Sequence, residues 1–131
     1  MYNKVTLIGR LVKNPDVRYT PSGIAVARFT LAVSRPPRNK DEKPMADFIR
    51  IVAWRRLAEI CSQYIFKGKL IAVEGRLQVE KYERSEGQKE NVYEVVADNI
   101  QMLDKKSDSL HHLAEDAKDI KADDNLEYHS E

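Results

Sequence analysis

The chain has 131 residues, 42% of them apolar, which fits one globular domain with a core of its own. No apolar run reaches membrane-spanning length, and no charged-apolar-small leader opens the sequence. One cysteine, Cys61, excludes an internal disulfide and a multi-cysteine metal site.

The expected compartment is therefore the cytoplasm. The net charge of +1 hides a division. Residues 1–103 carry 18 Lys+Arg against 12 Asp+Glu, a balance of +6, whereas residues 104–131 carry 4 against 9, a balance of −5. A basic body followed by an acidic tail suits an anionic partner for the body, or two differently solvated regions.

"NKVTLIGRLV" (3–12) alternates as a strand, with Val5, Leu7, Gly9 and Leu11 on one face. Gly9 in mid-strand points to a bend or a close backbone approach. "KNPDVRYTPSG" (13–23) holds turn signals around a short extended piece. "IAVARFTLAVS" (24–34) is a second long strand, with Ala25, Ala27, Phe29, Leu31 and Val33 on one side and Arg28, Thr30 and Ser34 on the other. "RPPRNKDEKPMA" (35–46), with its three prolines, reads as an exposed loop.

"DFIRIVAW" (47–54) should be a strand because β-branched and aromatic residues dominate it. Ile49, Ile51 and Ala53 make a core face. The opposite face carries Phe48, Arg50, Val52 and Trp54, an unusual load for a surface with nothing to do. "RRLAEICSQYIFKG" (55–68) changes period: Leu57, Ile60, Cys61, Tyr64 and Ile65 make one helix face, ended by Lys67 and Gly68.

"LIAVEGRLQVEKY" (70–82) is again a strand, with Ile71, Val73, Leu77 and Val79 inward and Glu74, Arg76, Gln78, Glu80 and Tyr82 outward. "ERSEGQKEN" (83–91) reads as a polar turn, and "VYEVVADNIQML" (92–103) closes the ordered part. Strands with one inserted helix suit a small all-β barrel, and the pattern favours an oligonucleotide/oligosaccharide-binding (OB) barrel over a sandwich. The domain is placed at 1–103. Residues 104–131 are polar and acidic and are expected to be a flexible tail.

No phosphate loop, nucleophile elbow or metalloprotease pair is present, so an enzyme is not expected. His111, His112 and His129 lie in the tail without cysteine partners, so no metal site or cofactor is expected either. The aromatic-basic pattern of Phe48, Arg50, Trp54, Arg76 and Tyr82 carries more. Bases stack on aromatic rings for about 1–3 kcal/mol each while basic side chains follow phosphates, and a single strand exposes both. A ring covering a barrel end or the helix is the competing explanation.

"NKVTLIGRLVKNPDVRYTPSG", "VARFTLAVS", "RLAEICSQYIFKGKLIAVEGRL" and "YEVVADNIQML", in this order, resemble the bacterial single-stranded DNA-binding protein family. The resemblance covers Tyr2 to Leu103. It implies a five-stranded OB barrel that binds and protects single-stranded DNA without catalysis in replication, recombination and repair. It also implies a homotetramer, with a dimer as the alternative. The family's aromatic platforms fall on Phe48, Trp54 and Tyr82, and its basic positions on Arg50, Arg56, Lys67 and Lys81.

A further family tryptophan falls near Pro37, leaving Arg35, Arg38, Lys40 and Lys43 to hold phosphates in that loop. Two family arginines correspond to Gln78 and Glu80. Arg28 and Arg76, on outward faces, complete the candidate set. The chain ends "DDNLEYHSE" where the family ends in an acidic Pro-Phe tip, which weakens the expectation that the tail recruits replication and repair proteins. The alternative is a primosome-type or RNA-binding OB protein acting mainly through protein partners. A third class is an OB module with no nucleic-acid ligand.

Overall fold

The computed structural model describes residues 1–104. Its elements run β1 (Val5–Leu11), β2 (Asp16–Tyr19), β3 (Ala25–Arg35), β4 (Met45–Trp54), α1 (Arg56–Tyr64), β5 (Leu70–Ser85) and β6 (Gln88–Met102). β1 pairs with β5, β5 with β6, β6 with β4, β4 with β3, and β3 back with β1, so five strands close a ring. β2 adds to the edge of β3. Only the β4–β6 pairing is parallel, and it is short: Ile51 opposite Val95 and Val52 opposite Val96. This is the OB barrel expected from the sequence.

Closure requires strands to bend and approach, and two glycines make room for it. A Cβ on Gly9 would lie 2.3 Å from the Ala32 carbonyl oxygen, and one on Gly75 would lie 2.1 Å from that of Val96. The β5–β6 register shifts at Glu74/Gly75, so a bulge bends β5 where it leaves the ring. The core fills the ring with Leu11, Phe29, Leu31, Ile51, Ile71, Val73 and Val95, and α1 adds Ala58, Cys61 and Ile65 at one end. Each fully buried aliphatic side chain contributes about 1.5–3 kcal/mol.

Four expectations change. The helix stops at Tyr64, before Lys67 and Gly68, and its buried stripe is Ala58, Cys61 and the C-cap Ile65, while Tyr64 is exposed. The segment 83–91 is not a loop: β5 and β6 run through it as a long hairpin, turning only at Glu86 and Gly87. Leu77 and Val79 keep the inward phase but are 44% and 47% exposed, because β5 there has left the ring. Val52, on the outer face, is buried beside Val26 and Val96. Among the described residues no helix is long and apolar enough to cross a membrane. The expected tail lies outside the described residues, as do the three histidines.

Candidate nucleic-acid interface

β4 sits between β3 and β6, and its inner side is held by the core through Ile51 and Ala53. That anchoring turns Phe48, Arg50 and Trp54 outward together. Phe48 is 67% exposed and Trp54 40%. Across the antiparallel pair, Ala32 lies opposite Phe48, Thr30 opposite Arg50, Val52 opposite Arg28 and Val26 opposite Trp54. Small neighbours therefore flank the aromatic rings and leave their faces open. Val52 between them is packed with Val26 and Val96, which gives the surface a buried apolar floor.

Tyr82 belongs to the hairpin beyond the ring, yet it joins this surface. Arg28, Thr30, Arg50, Tyr82 and Glu94 line one concavity of about 320 Å³. Phe48 and Arg50 border a second, of about 550 Å³, where β4 and β6 part below their short pairing. Its walls include Leu7, Ile49, Leu77, Arg84 and Tyr93. Among the described residues, no hydrogen bond or ion pair engages the side chains of Arg28, Arg50 or Arg56. Exposed guanidinium groups of this kind meet phosphates without first breaking an internal pair.

Other expected positions are placed differently. Arg35 is engaged by Asp47 across β3 and β4, and that hydrogen bond, with its charge attraction, raises the guanidinium's pKa further. Arg76 pairs with Asp98 at 2.9 Å. Lys67 is half-buried in the turn after α1, where its backbone N–H donates to the Asn14 side chain at 2.7 Å. Arg38, Lys40 and Lys43 are exposed on the loop 36–44 and line neither concavity. Arg56 opens α1, and Lys81 is exposed on the side of β5 opposite Tyr82. Phe48, Arg50, Trp54, Arg28 and Tyr82 thus form the assembled part of the set.

The sequence did not single out Tyr93, 58% exposed, or Glu94, 6% exposed. Both follow the alternation of β6, which was read only as a closing strand. Glu94 is a carboxylate lining both concavities. A carboxylate there disfavours a phosphate at the common wall and is able to accept hydrogen bonds from amino groups, so this part of the surface suits uncharged polar rings better than an anionic backbone. Nothing in the arrangement pairs a nucleophile with a base. Its chemistry is stacking, charge and desolvation.

The family model that matches residues 2–103 is that of the single-strand binding protein family. Among curated relatives, "Single-stranded DNA-binding protein 3" of Listeria innocua is 48% identical over 106 residues, 81% of this chain and 66% of that protein. "Single-stranded DNA-binding protein 1" of Streptococcus pyogenes is 50% identical over 109 residues, 83% of this chain and 84% of that protein. "Single-stranded DNA-binding protein A" of Bacillus subtilis is 50% identical over 107 residues, 82% of this chain and 62% of that protein. The match thus spans less than two thirds of the Listeria and Bacillus proteins.

Proposed function

The chain belongs to the single-strand binding protein family, and we propose that it is a non-catalytic protein that coats and protects single-stranded DNA during replication, recombination and repair. The observation that carries this reading is the outer face of β4, where two exposed aromatic rings bracket an unpaired guanidinium on a rigid strand. Bases stack on Phe48, Trp54 and Tyr82, and phosphates follow Arg28, Arg50, Arg56 and the loop cations Arg38, Lys40 and Lys43. Stacking has no sequence preference of its own, because every base offers a ring face. Duplex DNA hides those faces and binds only through charge.

The same reading gives a homo-oligomer, a tetramer in preference to a dimer. β1 offers support: β5 takes one edge from Val5 to Arg10, while β3 takes the other only at Arg10 and Leu11. Among the described residues the edge at Val5–Ile8 has no second partner strand, and with the exposed Lys4, Thr6 and Ile8 it suits pairing with a second copy. Several copies also lengthen the bound strand beyond the roughly 4–16 nucleotides that one OB barrel covers. The nucleoid is then the place of action.

Anisotropy of a labelled oligo-dT tests the function, with unlabelled oligo-dT, duplex and oligo-U as competitors at two salt concentrations. Displacement by oligo-dT well below the concentration needed for duplex is the expected result. Displacement by all three alike would refute a single-strand coat.

A further inference from the structure

Arg55 joins Trp54, the last residue of β4, to Arg56, the first of α1, and it breaks two local rules at once. Its φ of 61° and ψ of −127° lie where L side chains are strained and glycine is not. Among the described residues it is the non-glycine position with positive φ. It also occupies the N-cap of α1, where Ser, Thr, Asp or Asn would bond the first turn, and its side chain makes no capping bond.

The surroundings hold it there. Its N–H donates to the Ala25 carbonyl at 2.8 Å, and its own carbonyl accepts from Glu59 at 3.2 Å. The backbone is thus fixed from β3 and from α1, while the guanidinium stands exposed with no hydrogen-bond or ion-pair partner among the described residues.

A glycine would satisfy this turn without strain, and a small polar residue would cap the helix. An arginine does neither, so folding gives no reason for its presence. Strain that the fold over-determines and that serves no packing is characteristic of a working position. We propose that Arg55 is a further phosphate-binding residue of the single-strand interface. It follows Trp54 directly in the chain, on a backbone held from both β3 and α1. Arg56 follows it in the chain, and Arg28 stands two residues along β3 from Val26, the register partner of Trp54, so a strand stacked on Trp54 has cations on both neighbouring elements for its backbone.

This inference rests on the reading of the β4 face given above. The test uses the full chain, oligo-dT, and a salt series from 50 to 200 mM as an experimental range of roughly that used for counterion analysis. Arg55→Gln keeps length and removes charge, Arg55→Lys keeps charge, and Arg55→Gly removes both strain and side chain. Arg55→Gln and Arg55→Gly should bind about 3–10-fold more weakly at the lowest salt, with a log–log slope shallower by about 0.7, and Arg55→Lys should keep the slope.

A merely displaced Trp54 would weaken binding at every salt concentration and leave the slope unchanged. Arg55→Gly should meanwhile melt about 4 °C higher. An unchanged slope in Arg55→Gln, with Trp54→Ala clearly weakened, overturns this inference and leaves the interface standing. No binding by the parent chain overturns both. A lower melting temperature for Arg55→Gly removes the strain argument and the inference with it.

Discussion

β5 carries one alternation from end to end, yet its two halves have different environments. Ile71 and Val73 are fully buried in the ring, while Leu77 and Val79, in the same phase, are nearly half exposed. The bulge at Gly75 separates them: before it the strand is one wall of a closed barrel, after it one leg of a hairpin with no layer behind it among the described residues. Periodicity thus identifies which residues share a face, but only the tertiary arrangement decides whether that face meets a core. The half with a core provides stability. The half without one brings Tyr82 to the concavity lined by Arg28 and Arg50 and leaves Tyr93 and Leu77 beside Phe48.

The largest test of this contrast is stability. Ile71→Ala should cost about 2–5 kcal/mol in chemical denaturation, as for a well-packed core aliphatic. Leu77→Ala should cost less than about 1 kcal/mol. Equal costs would mean that the hairpin is covered, by a second copy or by the tail, and would break the comparison. Gly75→Ala belongs with Ile71, since its Cβ meets backbone rather than a yielding side chain.

Function should divide the other way. Trp54→Ala should weaken oligo-dT binding by about 1–3 kcal/mol, roughly 5- to 150-fold, with little change in melting temperature. Ile71→Val should cost about 0.5–1.5 kcal/mol of stability and leave oligo-dT affinity unchanged. A Trp54 and Tyr82 double substitution that binds as tightly as the parent would contradict the stacking mechanism.

A smaller effect comes from Cys61, fully buried under α1. Burial disfavours the thiolate and pushes the thiol from 9.0 up to about 12. The folded-state pKa is raised, so the contribution is complete below pH 9 and is lost as pH rises from 9 towards 12. Stability should fall by roughly 1 kcal/mol per unit there, and Cys61→Ala should flatten that part of the profile. The thiol should also resist aromatic disulfide reagents until the barrel unfolds. The loop should change salt dependence alone: replacing Arg38, Lys40 and Lys43 by alanine should lower the salt slope by at most about 2 units and leave duplex discrimination unchanged.

Much of this was legible in the sequence because the barrel's strands alternate strictly and the ring buries one side of them. The inward set of β3 and β4 and the role of Gly9 follow from that pattern. The aromatic-basic load of β4 marked the proposed site for the same reason, since an outward face is under no packing demand to carry rings. Val52 escaped that logic. Its burial needs Val26 from β3 and Val96 from β6, and the parallel pairing that supplies Val96 leaves no local signal.

The hairpin escaped it too. Residues 83–91 are polar on both faces and mostly exposed among the described residues, and such a stretch reads as a turn although backbone bonding makes it strand. Arg55 was invisible for another reason: a strained backbone angle is a property of the junction, and no residue type announces it.

Trp54 is the sole tryptophan, so its fluorescence reports directly on the face claimed here as the binding surface. Titration with oligo-dT, followed by matched duplex at the same salt, is the measurement that bears most directly on the account. Strong quenching by oligo-dT, reversed by salt and absent with duplex, is the predicted result. Saturating binding of oligo-dT with unchanged Trp54 emission would place the strand elsewhere on the molecule and contradict the account.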